Sequence, residues 1–322
     1  LWLTAASESA GDLIKRNLMA ADQARDVIDQ AMRNATGDRA QTLKQMLGDT
    51  LVMKASVLVE SARQHAQAFE LLDGFDERFS EFPALIAEAT RVRIRANQQL
   101  GRFDEARALI DQFLEQNPEQ GGPLIKGVVD SIDRQVADLR RLGNAEEAKK
   151  LARINRDLSL KLLEWAEGRP AYADDPAQML PFRLGAAQAA LSAGEYEEAE
   201  QRFQQLMKNN PSNVDVIAGF AEAKYAQDKL RAAAPLYDRI IKFGERGTRT
   251  YWNAWMQRSR ISDELIAEMK QSGEPKKVQA AEEASRKLHS TIRRLEETQD
   301  RNLGGEPFKS ELTRLRIKHA PR

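Results

Sequence analysis

The sequence predicts an all-α chain of antiparallel helical hairpins stacked as a solenoid, and three observations carry that expectation. Glycine and proline number only 18 and 11 in 322 residues, and the long runs between them are rich in Ala, Leu, Glu, Arg and Gln, the strong helix formers. Turn-forming residues fall at Thr36-Gly37-Asp38, Phe82-Pro83, Gly101, Asn117-Pro118 with Gly121-Gly122, Gly143-Asn144, Gly168-Arg169-Pro170, Gly194, Asn210-Pro211, Gly244, Gly273-Glu274-Pro275 and Gly304-Gly305. They leave helices of about 12 to 25 residues between them, a length suited to antiparallel pairs, and no strand alternation of useful length. The third observation is a register: Ala187, Tyr196, Ala199 and Phe203 align with Ala221, Leu230, Ala233 and Tyr237, each 34 residues on. Small residues at such positions let helices approach, and the aromatic residues fill the space between neighbouring hairpins.

The opening LWLTAASESAGDL reads either as the end of a signal sequence or as the second half of a helix entering a turn at Gly11. Leu1, Leu3 and the Ala-Gly-Asp turn match the internal pattern and favour the helix. A long helix is expected from about Arg39 to Glu60, followed by AFELLDGFDERFSEFP, residues 68–83, as another second helix with its terminator. LGRFDEARALIDQFLEQNP, from Leu100 to Pro118, repeats a turn and second helix through Gly101, Phe103, Ala106, Ile110 and Pro118. RLGNAEEAKKLARI, from Arg141 to Ile154, does so more weakly through Gly143, Glu147 and Ala148. GRPAYADDPAQMLP replaces the helical pattern with prolines and acidic turn residues, so a boundary is placed there. The expected organisation is an irregular hairpin array over 1–168, a linker over 169–181, regular repeats with capping helices over 182–300, and a tail over 301–322. Lys309, Arg314, Arg316, Lys318 and Arg322 make that tail basic, and it reads as a docking or disordered extension.

GEYEEAEQRFQQLMKNNPSN, from Gly194 to Asn213, resembles the second half of a tetratricopeptide repeat, with its turn glycine, aromatic residue, packing alanine and terminating proline. The resemblance implies a right-handed solenoid over roughly Ala40 to Lys242, in which the first helix of each hairpin lines a concave groove. Carried over by register, the groove positions are Leu184, Gln188 and Leu191 in one unit, Asp215, Ala218, Glu222 and Tyr225 in the next, and Arg249, Trp252, Met256 and Ser259 in the third. Tyr225, Trp252 and Met256 are the expected anchors, since aromatic residues and Met give large or adaptable contacts. Trp252 and Met256 have a second reading, as core residues beneath the following helix. Trp255 falls where the register wants a small residue, so the third unit is expected to pack loosely or to act as a cap. Arg91 and Arg95, four apart on one helix face, could pair with an acidic or C-terminal carboxylate of a partner. The lysine and asparagine clamp of chaperone-binding tetratricopeptide domains is not reproduced, the matching positions holding Arg91, Arg95, Leu184, Gln188 and Gly219.

Chemistry is conspicuous mainly by exclusion. Cysteine is absent, which removes disulfides, thiolate catalysis and cysteine-based zinc sites. A cysteine-free chain suits an exported bacterial protein of the periplasm or envelope, although cytoplasmic proteins also lack cysteine. His65, His289 and His319 lie on separate segments without metal-ligand spacing, and no Gly-rich phosphate loop or G-x-S-x-G elbow occurs. The adjacent pairs Asp174-Asp175 and Glu197-Glu198 point in different directions and suit helix starts. No cofactor or metal is expected. Lys+Arg and Asp+Glu both number 49, so nucleic acid is an unlikely partner, and no apolar run is long enough to span a membrane. The sequence therefore reads as a non-catalytic scaffold or adaptor for a protein or peptide partner. The alternative is a regulatory or positioning lobe of a longer multidomain enzyme.

Overall fold

The computed structural model describes residues 10–116, 119 and 121–321, and all regular structure among them is helical. The chain divides into two compact units, Leu1–Pro170 and Ala171–Arg322. In the first unit the helices are α1 (Ala10–Met32), α2 (Gly37–Glu60), α3 (His65–Leu71), α4 (Phe75–Arg78), α5 (Pro83–Gln99), α6 (Phe103–Gln116), α7 (Gly121–Arg141) and α8 (Ala145–Glu167). After the boundary helix α9 (Pro170–Ala173) come α10 (Pro176–Ala193), α11 (Tyr196–Asn209), α12 (Val214–Tyr225), α13 (Leu230–Phe243), α14 (Arg249–Gln271), α15 (Pro275–Thr298) and α16 (Phe308–Lys318). Consecutive helices pack as pairs: α1 with α2, α5 with α6, α7 with α8, α10 with α11, α12 with α13, and α14 with α15.

In the second unit the helix boundaries follow from local chemistry. Asp175 caps α10 by accepting from the Ala177 N–H at 2.8 Å, with Pro176 in the first turn where no N–H is missed. Gly194 ends α10 at φ +84°, and one repeat later Asp228 takes the same left-handed role at φ +59°. Asn213 caps α12 through the Asp215 and Val216 amides, and Thr248 caps α14 through the Tyr251 amide.

The 34-residue register is realised in the packing. Ala187, Ala199, Ala221 and Ala233 are fully buried at helix crossings, and Phe203 and Tyr237 occupy equivalent places in the core. Phe203 sits so close to α12 that a Cβ placed on Gly219 would stand 2.1 Å from its Cζ. Ala199→Leu or Ala233→Leu should therefore cost about 1 to 3 kcal/mol by overpacking, measured by denaturant unfolding. Unchanged midpoints for both would mean that the crossings are not close.

The first unit keeps part of the pattern. Phe103, Ala106 and Ile110 are buried as expected on α6, and Ala148 is buried on α8. Pro118 and residues 1–9, including Leu1 and Leu3, lie outside the described residues. Three expectations need correction. Gly11 lies inside α1, so no turn forms there. Residues 68–83 form two short helices rather than one, because Gly74 adopts φ +60° between α3 and α4. Gly121 and Gly122 open α7 instead of breaking the chain; a Cβ on Gly122 would stand 2.4 Å from the Trp165 ring, so glycine is needed for that close approach.

Two differences fall in the second unit. Residues 176–181, expected as linker, form the first turns of α10. The basic tail is a folded helix: Phe308, Leu312 and Leu315 of α16, spaced i, i+4, i+7, join Trp252, Met256 and the α15 residues Leu288, Ile292 and Leu295 in one core. Trp255 stacks edge-on to Tyr251 at 6.5 Å and borders this core, so the third unit ends in a cap.

Candidate interaction surface

The register places α10, α12 and α14 as the first helices of three successive hairpins. On α10, Leu184 and Leu191 are half-buried and Gln188 is exposed. On α12, Ala218 and Tyr225 are half-buried while Asp215 and Glu222 are exposed. Tyr225 donates its hydroxyl to Glu264 of α14 at 2.9 Å, and burial together with that carboxylate pushes its phenol up to about 12. Beneath them, Tyr237 of α13 is 2% exposed and its hydroxyl has no hydrogen-bond partner. Burial raises its phenol, and the titratable groups that act on it are Glu222 and Tyr225. The α11–α12 side of the same hairpins is held by Glu200, which accepts from Lys224 at 2.7 Å and Lys229 at 2.6 Å. Burial alone would raise its carboxyl, but those donors and Gln227 outweigh it and hold Glu200 at about 2.

The third unit departs from the expected groove. Trp252 and Met256 are 3% and 7% exposed, and Ser259 is also buried, so they belong to the core and are not available to a partner. Arg249 remains exposed at the start of α14. The cause is α16, which packs along this stripe of α14. Glu311 accepts from Arg260 at 2.8 Å, and Asp263 is 2.5 Å from Lys318 and 2.9 Å from His319. Donation by Arg314, opposed by burial and aided by Arg260, holds the Glu311 carboxyl at about 2.

The buried His319 ring spans Asp263 through Nε2 and Ser285 through Nδ1, the latter at 2.6 Å. Charge-bearing residues from α14, the α16 terminus and a hydroxyl from α15 thus meet at one point. With His319 only 4% exposed, this arrangement works as a pin joining three segments. In the sequence His319 looks solitary because its partners lie 34 and 56 positions away.

The arginines of α5 are engaged within the first unit. Arg91 pairs with Glu88 and lies over the Phe113 ring, Arg95 is 2.6 Å from Glu60, and Arg93 reaches Asp76 at 2.9 Å and the Leu72 carbonyl at 2.6 Å. They are brought together with internal carboxylates rather than presented as a clamp. A cleft of about 660 Å³ opens among Arg246, Tyr251, Gln299, Asp300 and Asn302, and one of about 290 Å³ lies among Phe103, Gln135, Leu139, Lys150 and Ile154.

Residues 190–252 match the family model described as tetratricopeptide repeat. That span runs from the end of α10 through α13 into α14 and contains the buried register of Ala199, Phe203, Ala221, Ala233 and Tyr237. Those residues are similar to a tetratricopeptide repeat, a fold that generally mediates protein–protein interaction, and they lie within an all-α array of helical hairpins. Among solved structures, a tetratricopeptide repeat protein from Parabacteroides merdae ATCC 43184 is similar at 17% identity, with 96% of this chain and 99% of that one covered and a TM-score of 0.34. A structure of Naa15/Naa10 bound to HypK-THB is similar at 14% identity, with 93% and 55% covered and a TM-score of 0.21. No curated protein matches the sequence. Among the described residues no helix is long and apolar enough to cross a membrane.

Proposed function

We propose that the chain is a non-catalytic scaffold whose α10–α12 face docks an amphipathic segment of a partner protein. One observation carries this reading: α16 seats its apolar edge on the equivalent stripe of α14, with Leu312 and Leu315 fully buried. A first-helix face of this array therefore accommodates a helix, and on α10 and α12 the corresponding residues stay half-buried or exposed. Leu184, Leu191, Ala218 and Tyr225 supply the apolar part of the contact; Gln188 and Glu222 supply its polar rim. Arg91, Arg95, Trp252 and Met256 have other roles in this reading.

The test compares the intact chain with a Leu184→Glu/Leu191→Glu variant in affinity capture from the source organism, followed by titration with the purified partner. The expected result is a lower melting temperature, because both leucines pack against the buried core, with the chain still folded at the assay temperature and about 2 kcal/mol or more of binding lost, the hot-spot scale. Equal affinity of variant and wild type would move the docking face elsewhere and overturn the reading.

A further inference from the structure

In the first unit, exposed leucines gather around an apolar pocket. Phe103 of α6, Leu139 of α7, and Leu151 and Ile154 of α8 wall this cavity of about 290 Å³. Small-molecule sites typically span about 300 to 1,000 Å³, so this one suits a single bulky side chain. Leu142, three residues past Leu139, is 70% exposed, and Leu100, next to the pocket residue Gly101, is exposed as well. The rim carries Asp104, Glu147 and Lys150, all exposed and none of them ion-paired among the described residues.

The second unit presents a side chain of that size. Phe243, the last residue of α13, is 67% exposed, and its ring meets the neighbouring Lys242 ammonium at 5.0 Å. The turn that follows carries Glu245 and Arg246, both exposed and likewise without an ion pair among the described residues. Ile317 is as exposed as Phe243, but its flanking charges are used inside the chain, Arg316 by Glu296 and Lys318 by Asp263. The Phe243 turn therefore joins an aromatic anchor to charges that are free to pair. Their signs match the pocket rim: Lys242 and Arg246 complement Asp104 and Glu147, and Glu245 complements Lys150.

We infer that the chain self-associates through these two surfaces: Phe243 of one copy enters the pocket of a second copy, and the charges around the ring pair with those on the rim. Pocket and protrusion are different patches, so the contact is heterologous. In a pair, one copy keeps an open pocket and the other an exposed phenylalanine, and assembly continues by adding further copies. One anchor with a few ion pairs makes a small interface, of the kind found in weak and transient contacts, so association depends on concentration. The inference is independent of the α10–α12 docking face.

The test measures the mass of the full chain by sedimentation equilibrium from about 10 μM to about 1 mM, the range in which small interfaces form. The average mass of the wild type should rise across that range, and rise less at high salt, because the rim pairs are exposed. Phe243→Ser removes the protrusion, and Leu139→Arg places a cation in the pocket wall. Each variant alone should need about ten-fold or more higher concentration to associate, the effect of losing an anchor residue. An equimolar mixture of the two variants should form two-chain complexes and nothing larger, since one supplies the intact pocket and the other the intact phenylalanine. Circular dichroism checks that both are folded; if Leu139→Arg is not, the exposed pair Asp104→Lys/Glu147→Lys replaces it. A wild type that stays monomeric to about 1 mM, far above the concentrations of specific contacts, would overturn the inference. So would association undiminished by Phe243→Ser, or a variant mixture that associates no better than its components.

Discussion

Trp252→Ala should lower folding stability by about 3 to 5 kcal/mol, the scale for truncating a buried tryptophan. The indole is 3% exposed and lies in a core shared by α14, α15 and α16, with Tyr251 edge-on at a centroid distance of 5.4 Å. Its removal leaves a cavity where three helices meet, so the loss should appear first in the docking of α16. Denaturant unfolding gives the magnitude, and amide hydrogen exchange over Phe308–Lys318 should accelerate in the variant. A Trp252→Ala chain as stable as wild type, with α16 still protected, would place this indole outside the core and return it to the binding surface.

Gly304→Ala should cost about 3 kcal/mol, for two separable reasons. Gly304 holds φ +80°, a conformation that costs an L-residue roughly 1 to 2 kcal/mol. Its absent Cβ would also stand 2.3 to 2.7 Å from the Cγ, Cδ1 and Cδ2 atoms of Trp252, adding an overpacking cost of about 1 to 3 kcal/mol. The backbone is meanwhile fixed by the Gly304 N–H, which donates to Asp300 at 2.7 Å, so the turn cannot swing away without losing that bond. A double-mutant cycle separates the two costs. In the Trp252→Ala background the steric part disappears and only the conformational part remains, which gives a coupling energy of about 1 to 3 kcal/mol. Additive effects would show that Gly304 and Trp252 do not touch.

Both variants concern a region that the sequence alone described least well. Trp252 carried two opposed readings, groove anchor or core, because the 34-residue register assigns a position on a helix and says nothing about what covers it. The covering element is α16, and its sequence is dominated by Lys309, Arg314, Arg316 and Lys318, charges that suggest a solvated tail. Arg316 and Lys318 find Glu296 and Asp263 only after the chain has folded back, whereas Arg314 pairs with Glu311 one turn away on the same helix. Phe308, Leu312 and Leu315 did carry a helical i, i+4, i+7 signal, which the basic residues around them masked. Arg95 shows the same limitation in the first unit, since its partner Glu60 lies on α2 and is assigned by packing, while Arg91 pairs locally with Glu88 on its own helix.

Local and short-range features were determined by the sequence itself. Helical propensity, caps such as Asp175 and Asn213, the left-handed Gly194, and the paired alanines and aromatic residues of the 190–252 repeats act within one hairpin or between adjacent ones, so their spacing in the chain is their spacing in space. The tertiary structure decided which first-helix faces stay open and which are closed. That choice depends on contacts between α14 and residues about 50 positions away, such as Arg260 with Glu311 and Asp263 with His319. Their energies are set by burial and by the charges that arrive together, and neither is a function of sequence separation.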